Sequence, residues 1–169
     1  MSAEAALSHL DGRRPVGQTT PIPSVQRGPI ASLRTRGGAA ELYLPFAPDP
    51  VLVHLHLPAE LASPSAGVVI CPAFGWDELC SYRSRRWLAD ALAGVGLAAV
   101  RIDFPGSGDS GGHPQDPGRF GAWVAAVDGT AEWLRTELGC VRTAAFGIGL
   151  GGVVACRAML DGAPLDDLA

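Results

Sequence analysis

Lysine is missing from this chain: its thirteen Lys and Arg positions are all arginine. That excludes a lysine Schiff base and the lysine of a phosphate-binding G-x-x-x-x-G-K loop. Excess positive charge is missing as well. The net charge is −4, which argues against a nucleic-acid partner. No stretch approaches the ~18 apolar residues of a membrane span, and the N-terminal region lacks the apolar centre of a signal peptide. A cytoplasmic protein without a membrane partner is expected. The cysteines Cys71, Cys80, Cys140 and Cys156 have no C-x-x-C spacing. They read as buried free thiols, with Cys156 two turns into a helix. His54 and His56 form an i, i+2 pair with no third ligand nearby. They read as a solvated strand face, and neither a metal nor another cofactor is expected.

At 169 residues the chain fits one domain. Residues 1–38 are broken by Gly12-Arg13-Arg14-Pro15, Pro21-Ile22-Pro23 and Gly37-Gly38, and hold no apolar period. They are expected to form a poorly ordered extension, leaving residues 39–169 as the folded domain. Residues 41–46 and 51–57 alternate around Pro48-Asp49-Pro50, predicting an antiparallel strand pair. Residues 67–71, 97–102 and 141–146 are continuous apolar runs, which suit parallel strands buried on both faces. Helical patterns separate them. Trp87, Leu88, Ala91, Leu92 and Val95 share one predicted face. Phe120, Trp123, Val124, Val127, Ala131, Leu134 and Leu138 share another, with Asp116 as N-cap and Pro117 at the first helical position. The fold class that follows is α/β: an open, mostly parallel sheet with helices on both faces. Ligands bind such sheets outside the carboxyl ends of the strands. Here the loops at 72–81, 103–117 and 147–152 would emerge there.

The last of these loops reads Phe146-Gly147-Ile148-Gly149-Leu150-Gly151-Gly152. It lies between a predicted strand and a predicted helix. Two site types share that context. The nucleophile elbow G-x-S-x-G places a serine on a strained turn. The dinucleotide fingerprint G-x-G-x-x-G uses glycines to let a pyrophosphate approach a helix N-terminus. The chain satisfies the spacing of both, with glycine where the elbow needs serine. The dinucleotide reading also requires an acidic residue ~20 positions later, at or beyond Ala169.

Two upstream loops bear on the choice. Val68-Val69-Ile70-Cys71-Pro72-Ala73-Phe74-Gly75 resembles the strand and oxyanion loop of α/β-hydrolases, with Pro72-Ala73 replacing His-Gly. Asp103-Phe104-Pro105-Gly106-Ser107-Gly108-Asp109-Ser110 is similar to that family's D-x-x-G-x-G-x-S loop. The resemblance covers residues 41–169. The Pro-x-Phe-Gly loop followed by Ser84-Arg85-Arg86 is also similar to hydrolase-like proteins found beside bacterial exosortase systems.

This resemblance implies the N-terminal part of an α/β-hydrolase fold, truncated, and hydrolysis of ester, amide or related acyl bonds. It puts Gly149 at the nucleophile position and makes the Phe74 and Leu150 N–H groups the oxyanion donors. Each donor can be worth ~3 kcal/mol to a transition state. Gly149 has no hydroxyl, however, and His9, His54, His56 and His113 all precede it, whereas the family order is serine, acid, histidine. After Gly152 the only carboxylates are Asp161, Asp166 and Asp167. The expectation is a hydrolase-family chain that is inactive as it stands. The alternatives are a non-catalytic acyl- or anion-binding or assembly protein on the same fold, and a dinucleotide-binding Rossmann-like domain.

Ser107 and Ser110 read as turn residues, His113 as a solvated loop residue, and Asp77 and Glu78 as solvated charges. Trp76 either lines a pocket mouth or packs. The partner expected is a small acyl or ester-like molecule. Residues 165–169 look like the start of a sixth strand. The strand at 141–146 would be left as a sheet edge, favouring self-association or a missing C-terminal part.

Overall fold

In the computed structural model, which describes residues 39–46, 48–59 and 64–169, six strands form one mixed sheet. The extension expected over residues 1–38 lies outside the described residues. β1 (Ala40–Leu44), β2 (Val51–His56), β3 (Ala66–Cys71), β4 (Ala98–Ile102), β5 (Arg142–Gly147) and β6 (Asp167–Leu168) are arranged in the order β1-β2-β4-β3-β5-β6. β1 pairs antiparallel with β2, and β2 antiparallel with β4; the other pairings are parallel. The three predicted runs become β3, β4 and β5, the parallel strands in the interior of the sheet.

Three helices make the crossovers: α1 (Trp76–Gly94), α2 (Arg119–Thr136) and α3 (Leu150–Leu160). α2 and α3 pack together on one face of the sheet. Val127, Ala131 and Leu134 of α2 and Val154 and Ala158 of α3 join Val69, Cys71, Val100 and Ile102 in the main core. The period of two along a strand sends Ile70 and Ala99 to the other face, where they meet Ala89, Leu88 and Leu92 of α1 in a smaller cluster. No described helix is long and apolar enough to cross a membrane.

Several expectations are corrected. Trp87 and Val95 are 72% and 75% exposed. Leu88 and Leu92 of the predicted face do pack inward, but the fully buried positions beside them are Arg85 and Ala89. Asp116 does not cap α2: the helix starts after Gly118, which takes a left-handed conformation. The Asp116 carboxylate is held elsewhere, by the His113 N–H at 2.7 Å and the Arg119 guanidinium. Cys71 and Cys140 are buried, but Cys80 and Cys156 are exposed; Cys156 lies on the solvent side of α3. The sheet does not end at β5. The Asp166 N–H donates to the Thr143 carbonyl at 2.7 Å and the Ala169 N–H to the Ala145 carbonyl at 3.0 Å, while β6 pairs Ala144 with Asp167 and Ala145 with Leu168.

The histidine pair is also buried rather than solvated, because β2 is an interior strand between β1 and β4. Arg101 Nε of β4 lies 3.2 Å from His56 Nε2 and can only donate, which makes Nε2 the acceptor and puts the proton on Nδ1. Nδ1 then donates to Asp90 Oδ1 at 2.7 Å. His54 Nδ1 stands 3.4 Å from Glu41 Oε1. Burial lowers both imidazole pKa values below the usual 6.5, and Arg101 adds to this. For His56 the Asp90 hydrogen bond opposes it. As pH falls through ~6.5 the unfolded chain takes up protons that the folded chain resists, so this contribution to stability is full above that pH and is lost below it. The unfolding free energy in urea should fall from about pH 7 to about pH 5.5, and fall less steeply in His56→Gln. An identical slope in the variant would exclude His56 as a source.

Candidate functional site

The loops after β3, β4 and β5 meet at the carboxyl end of the sheet. Their junction is set by glycine. A Cβ on Gly147 would lie under 3.0 Å from the backbone of Gly151 and Gly152, and one on Gly151 under 3.0 Å from the carbonyl oxygens of Cys71 and Pro72. The first turn of α3 is therefore in backbone contact with the ends of both β5 and β3. Between those contacts Gly149 has φ 56° and ψ −119°, outside the regions that L-residues ordinarily populate. A Cβ there would meet nothing within 4 Å. Space for a side chain exists, but the chain supplies none.

Leu150 opens α3, so its N–H has no preceding helical turn to bond. The Gly151 and Gly152 N–H groups bond the Ile148 and Gly149 carbonyls at 3.0 and 3.1 Å. Pro72 and Cys71, pressed on Gly151, bring the loop that carries Phe74 to the same end of the helix. Phe74 is 58% exposed. Its ring lies 5.8 Å from that of Trp123, which stacks on the buried Phe104 at 5.4 Å and 16°. Trp123 Nε1 donates to the Pro105 carbonyl at 2.9 Å, which orients the indole. The junction thus has one apolar, aromatic wall. Trp76, at 76% exposed, does not pack.

The other residues singled out from the sequence have structural partners. Ser110 Oγ donates to the Asp103 carbonyl at 2.6 Å and accepts the Leu52 N–H at 2.8 Å, pinning the β4 loop to β2. Ser107 donates its N–H to the Phe104 carbonyl at 2.8 Å within the turn. His113 is exposed and lies in the loop before α2. Cys71 is fully buried, and desolvation pushes its thiol up to about 12, which removes it as a nucleophile. Asp77 is exposed, but Glu78 is not a solvated charge: it pairs with the buried Arg85. Sequence reasoning missed this pair. Its signal was the seven-residue spacing, two helical turns on one face. A separate groove of about 410 Å³ lies between α2 and α3, lined by Phe120, Val124, Asp128 and the Arg157–Asp161 pair among others. It carries no nucleophile and none of the three loops.

The glycine contacts predict a sharp asymmetry. Gly147→Ala should destabilise the fold by about 2–4 kcal/mol, since backbone would have to move. Gly121→Ala in α2, where a Cβ meets nothing within 4 Å, should be neutral or stabilising by about 0.5–1 kcal/mol. Urea denaturation of both variants checks this, and equal stabilities would show that the junction is not tight.

The serine aminopeptidase S33 family matches residues 62–168. No curated relative matches the chain. Among solved structures, an α/β serine hydrolase without a lid from Xanthomonas campestris is similar, with 22% identity over 77% of this chain and 59% of that one, and a TM-score of 0.61. Est1E from Butyrivibrio proteoclasticus, solved with ferulic acid bound, has 17% identity over 75% of this chain and 50% of that one, at 0.63. A proline iminopeptidase-related protein from Thermus thermophilus has 25% identity over 79% of this chain and 44% of that one, at 0.59. The chain thus spans between about two fifths and three fifths of the length of these structures. With more than half of its length matched, the chain belongs to the serine aminopeptidase S33 family of α/β-hydrolases.

Proposed function

We propose that this chain binds an acyl or ester-like ligand at the junction of the β3 loop and the start of α3, and does not cleave it. The observation that carries this reading is the backbone contact of Cys71 and Pro72 with Gly151. It brings the Phe74 loop close to the start of α3, which supports reading Phe74 and Leu150 as oxyanion donors and Gly149 as the nucleophile position. A carboxylate or ester oxygen is the chemistry that backbone N–H donors at a helix N-terminus favour. An acyl or aryl tail suits the Phe74–Trp123 wall. Est1E, a structural neighbour with ferulic acid bound, supports an aromatic acid as one such ligand. Glycine at position 149 offers no hydroxyl, and that is independent of where a base or an acid would come from. Ser110 is already bonded to two backbone groups, so it is not a substitute.

Turnover and binding give separate tests. The purified chain should hydrolyse p-nitrophenyl acetate no faster than buffer, and activity abolished by Ser110→Ala would overturn the non-catalytic reading. Gly149→Ser should fold but lose about 1–3 kcal/mol, the cost of that backbone conformation for an L-residue, and should not gain turnover on its own. Ferulate and hexanoate should shift the Phe74 and Leu150 amide resonances saturably. Unmoved resonances at millimolar ligand would remove the binding proposal.

A further inference from the structure

Three aromatic side chains from three parts of the chain form one ladder beside the junction. Phe104 follows β4 and is fully buried, Trp123 lies in the second turn of α2, and Phe74 lies in the loop after β3. Trp123 stacks on Phe104 at 5.4 Å and 16°. The Phe74 ring stands 5.8 Å from the indole, tilted by 43°. The ladder is therefore buried at its Phe104 end and open at its Phe74 end, where the residue is 58% exposed.

Trp123 is fixed twice. One face lies on Phe104, and its Nε1–H donates to the Pro105 carbonyl at 2.9 Å. Both anchors belong to the loop after β4, which Ser110 ties to β2. The indole thus has a set position. A phenylalanine on an exposed loop would otherwise exchange among several rotamers. Trp123 occupies part of that range and leaves the rest of the Phe74 ring in solvent.

Phe74 carries both an N–H and this ring, so a carboxylate held by that N–H has its tail within one side-chain length of the ring. A flat aryl tail can stack there as the fourth member of the ladder. Offset and tilted aromatic pairs attract by more than their buried area accounts for, and a saturated ring of the same carbon count forgoes that share. A ring already held in place also loses less freedom when a ligand arrives.

We infer that Trp123 is a positioning residue that holds the Phe74 ring ready to stack, and that the site thereby selects aryl acids over saturated acids of equal carbon count. The inference rests on the binding reading above and deepens it from an acyl ligand to an aromatic one. Trp123 acts through Phe74 and needs no contact with the ligand.

A matched pair of acids tests it on the full chain: 3-phenylpropanoate and 3-cyclohexylpropanoate, titrated separately while the Phe74 and Leu150 amides are followed by NMR. The saturated acid is the bulkier and more apolar of the two, so burial alone would favour it. The phenyl acid should nonetheless bind about 3- to 10-fold tighter. Phe74→Leu keeps the backbone N–H and changes an exposed side chain, so the fold is retained; the affinity ratio should fall to about 1. Trp123→Leu should bring the ratio within about 2-fold, and Trp123→Phe, which still offers Phe74 a ring, should restore it to about 3-fold. Each ratio is read within one protein, so a loss of stability that weakens both acids alike cancels from it. Equal affinities in the wild type would overturn the inference and leave the binding reading standing. A preference undiminished in Trp123→Leu would also overturn it, since Phe74 would then need no positioning. If neither acid moves either amide, the binding reading fails and the selectivity falls with it.

Discussion

The backbone contact between the first turn of α3 and the ends of β3 and β5 governs the rest of this structure. Cβ atoms are excluded at both Gly147 and Gly151, and that exclusion sets how deeply α3 sits on the sheet. The depth lets Val154 and Ala158 reach the main core fully buried. It also brings the two loops that carry Phe74 and Leu150 to one place. Each glycine costs about 0.5–1 kcal/mol in backbone entropy. Full burial of Val154 alone contributes about 1.5–3 kcal/mol, so a close-packed glycine turn is sustained without any functional gain.

The two faces of the sheet are built on different principles. The α2–α3 side is a continuous apolar core, while the α1 side is a short apolar patch beside a row of polar groups: Asp90, His56, Arg101, Tyr82, Arg85 and Glu78. Rows of this kind are interdependent, since each member orients its neighbours. That dependence explains why a histidine on β2 and a carboxylate at the start of α1 belong to one physical unit, although they are 22 positions apart (78 − 56).

The contrast also marks what the sequence could reveal. β3, β4 and β5 were legible because their segments are mostly apolar, interrupted by Arg101 in β4 and by Arg142 and Thr143 in β5, and α2 because Val127, Ala131 and Leu134 keep a helical step. The inward face of α1 was legible only in part: Leu88 and Leu92 do pack on the sheet, but the buried Arg85 was hidden and Trp87 turns to solvent. His54 and His56 alternate like a solvated strand, and only the position of β2 inside the sheet shows them buried. Asp116 and Pro117 make a good cap by composition, yet the His113 N–H and Arg119 claim the carboxylate first. The glycine turn itself was visible, but its close contact with Pro72 depends on residues about eighty positions apart, beyond any local pattern.

The unusual conformation of Gly149 does not by itself argue for a ligand. Gly147 and Gly151 fix the chain on either side of it, so the turn between them has little freedom whether or not the site is used. Two other features have no such explanation in packing. Phe74 leaves its aromatic face in solvent although Trp123 stands beside it, and burying that ring would have been favourable. Among the described residues the Glu78–Arg85 pair keeps an unpartnered donor and acceptor where apolar side chains would pack without penalty. Both features lie in one short stretch, the loop after β3 and the first turns of α1. Stability alone would not select them, and the proposed binding role gives a reason to keep them. Under the proposed binding role the ligand would be met from the β3 side of the junction, with the glycine turn as the rigid wall against which that loop is set.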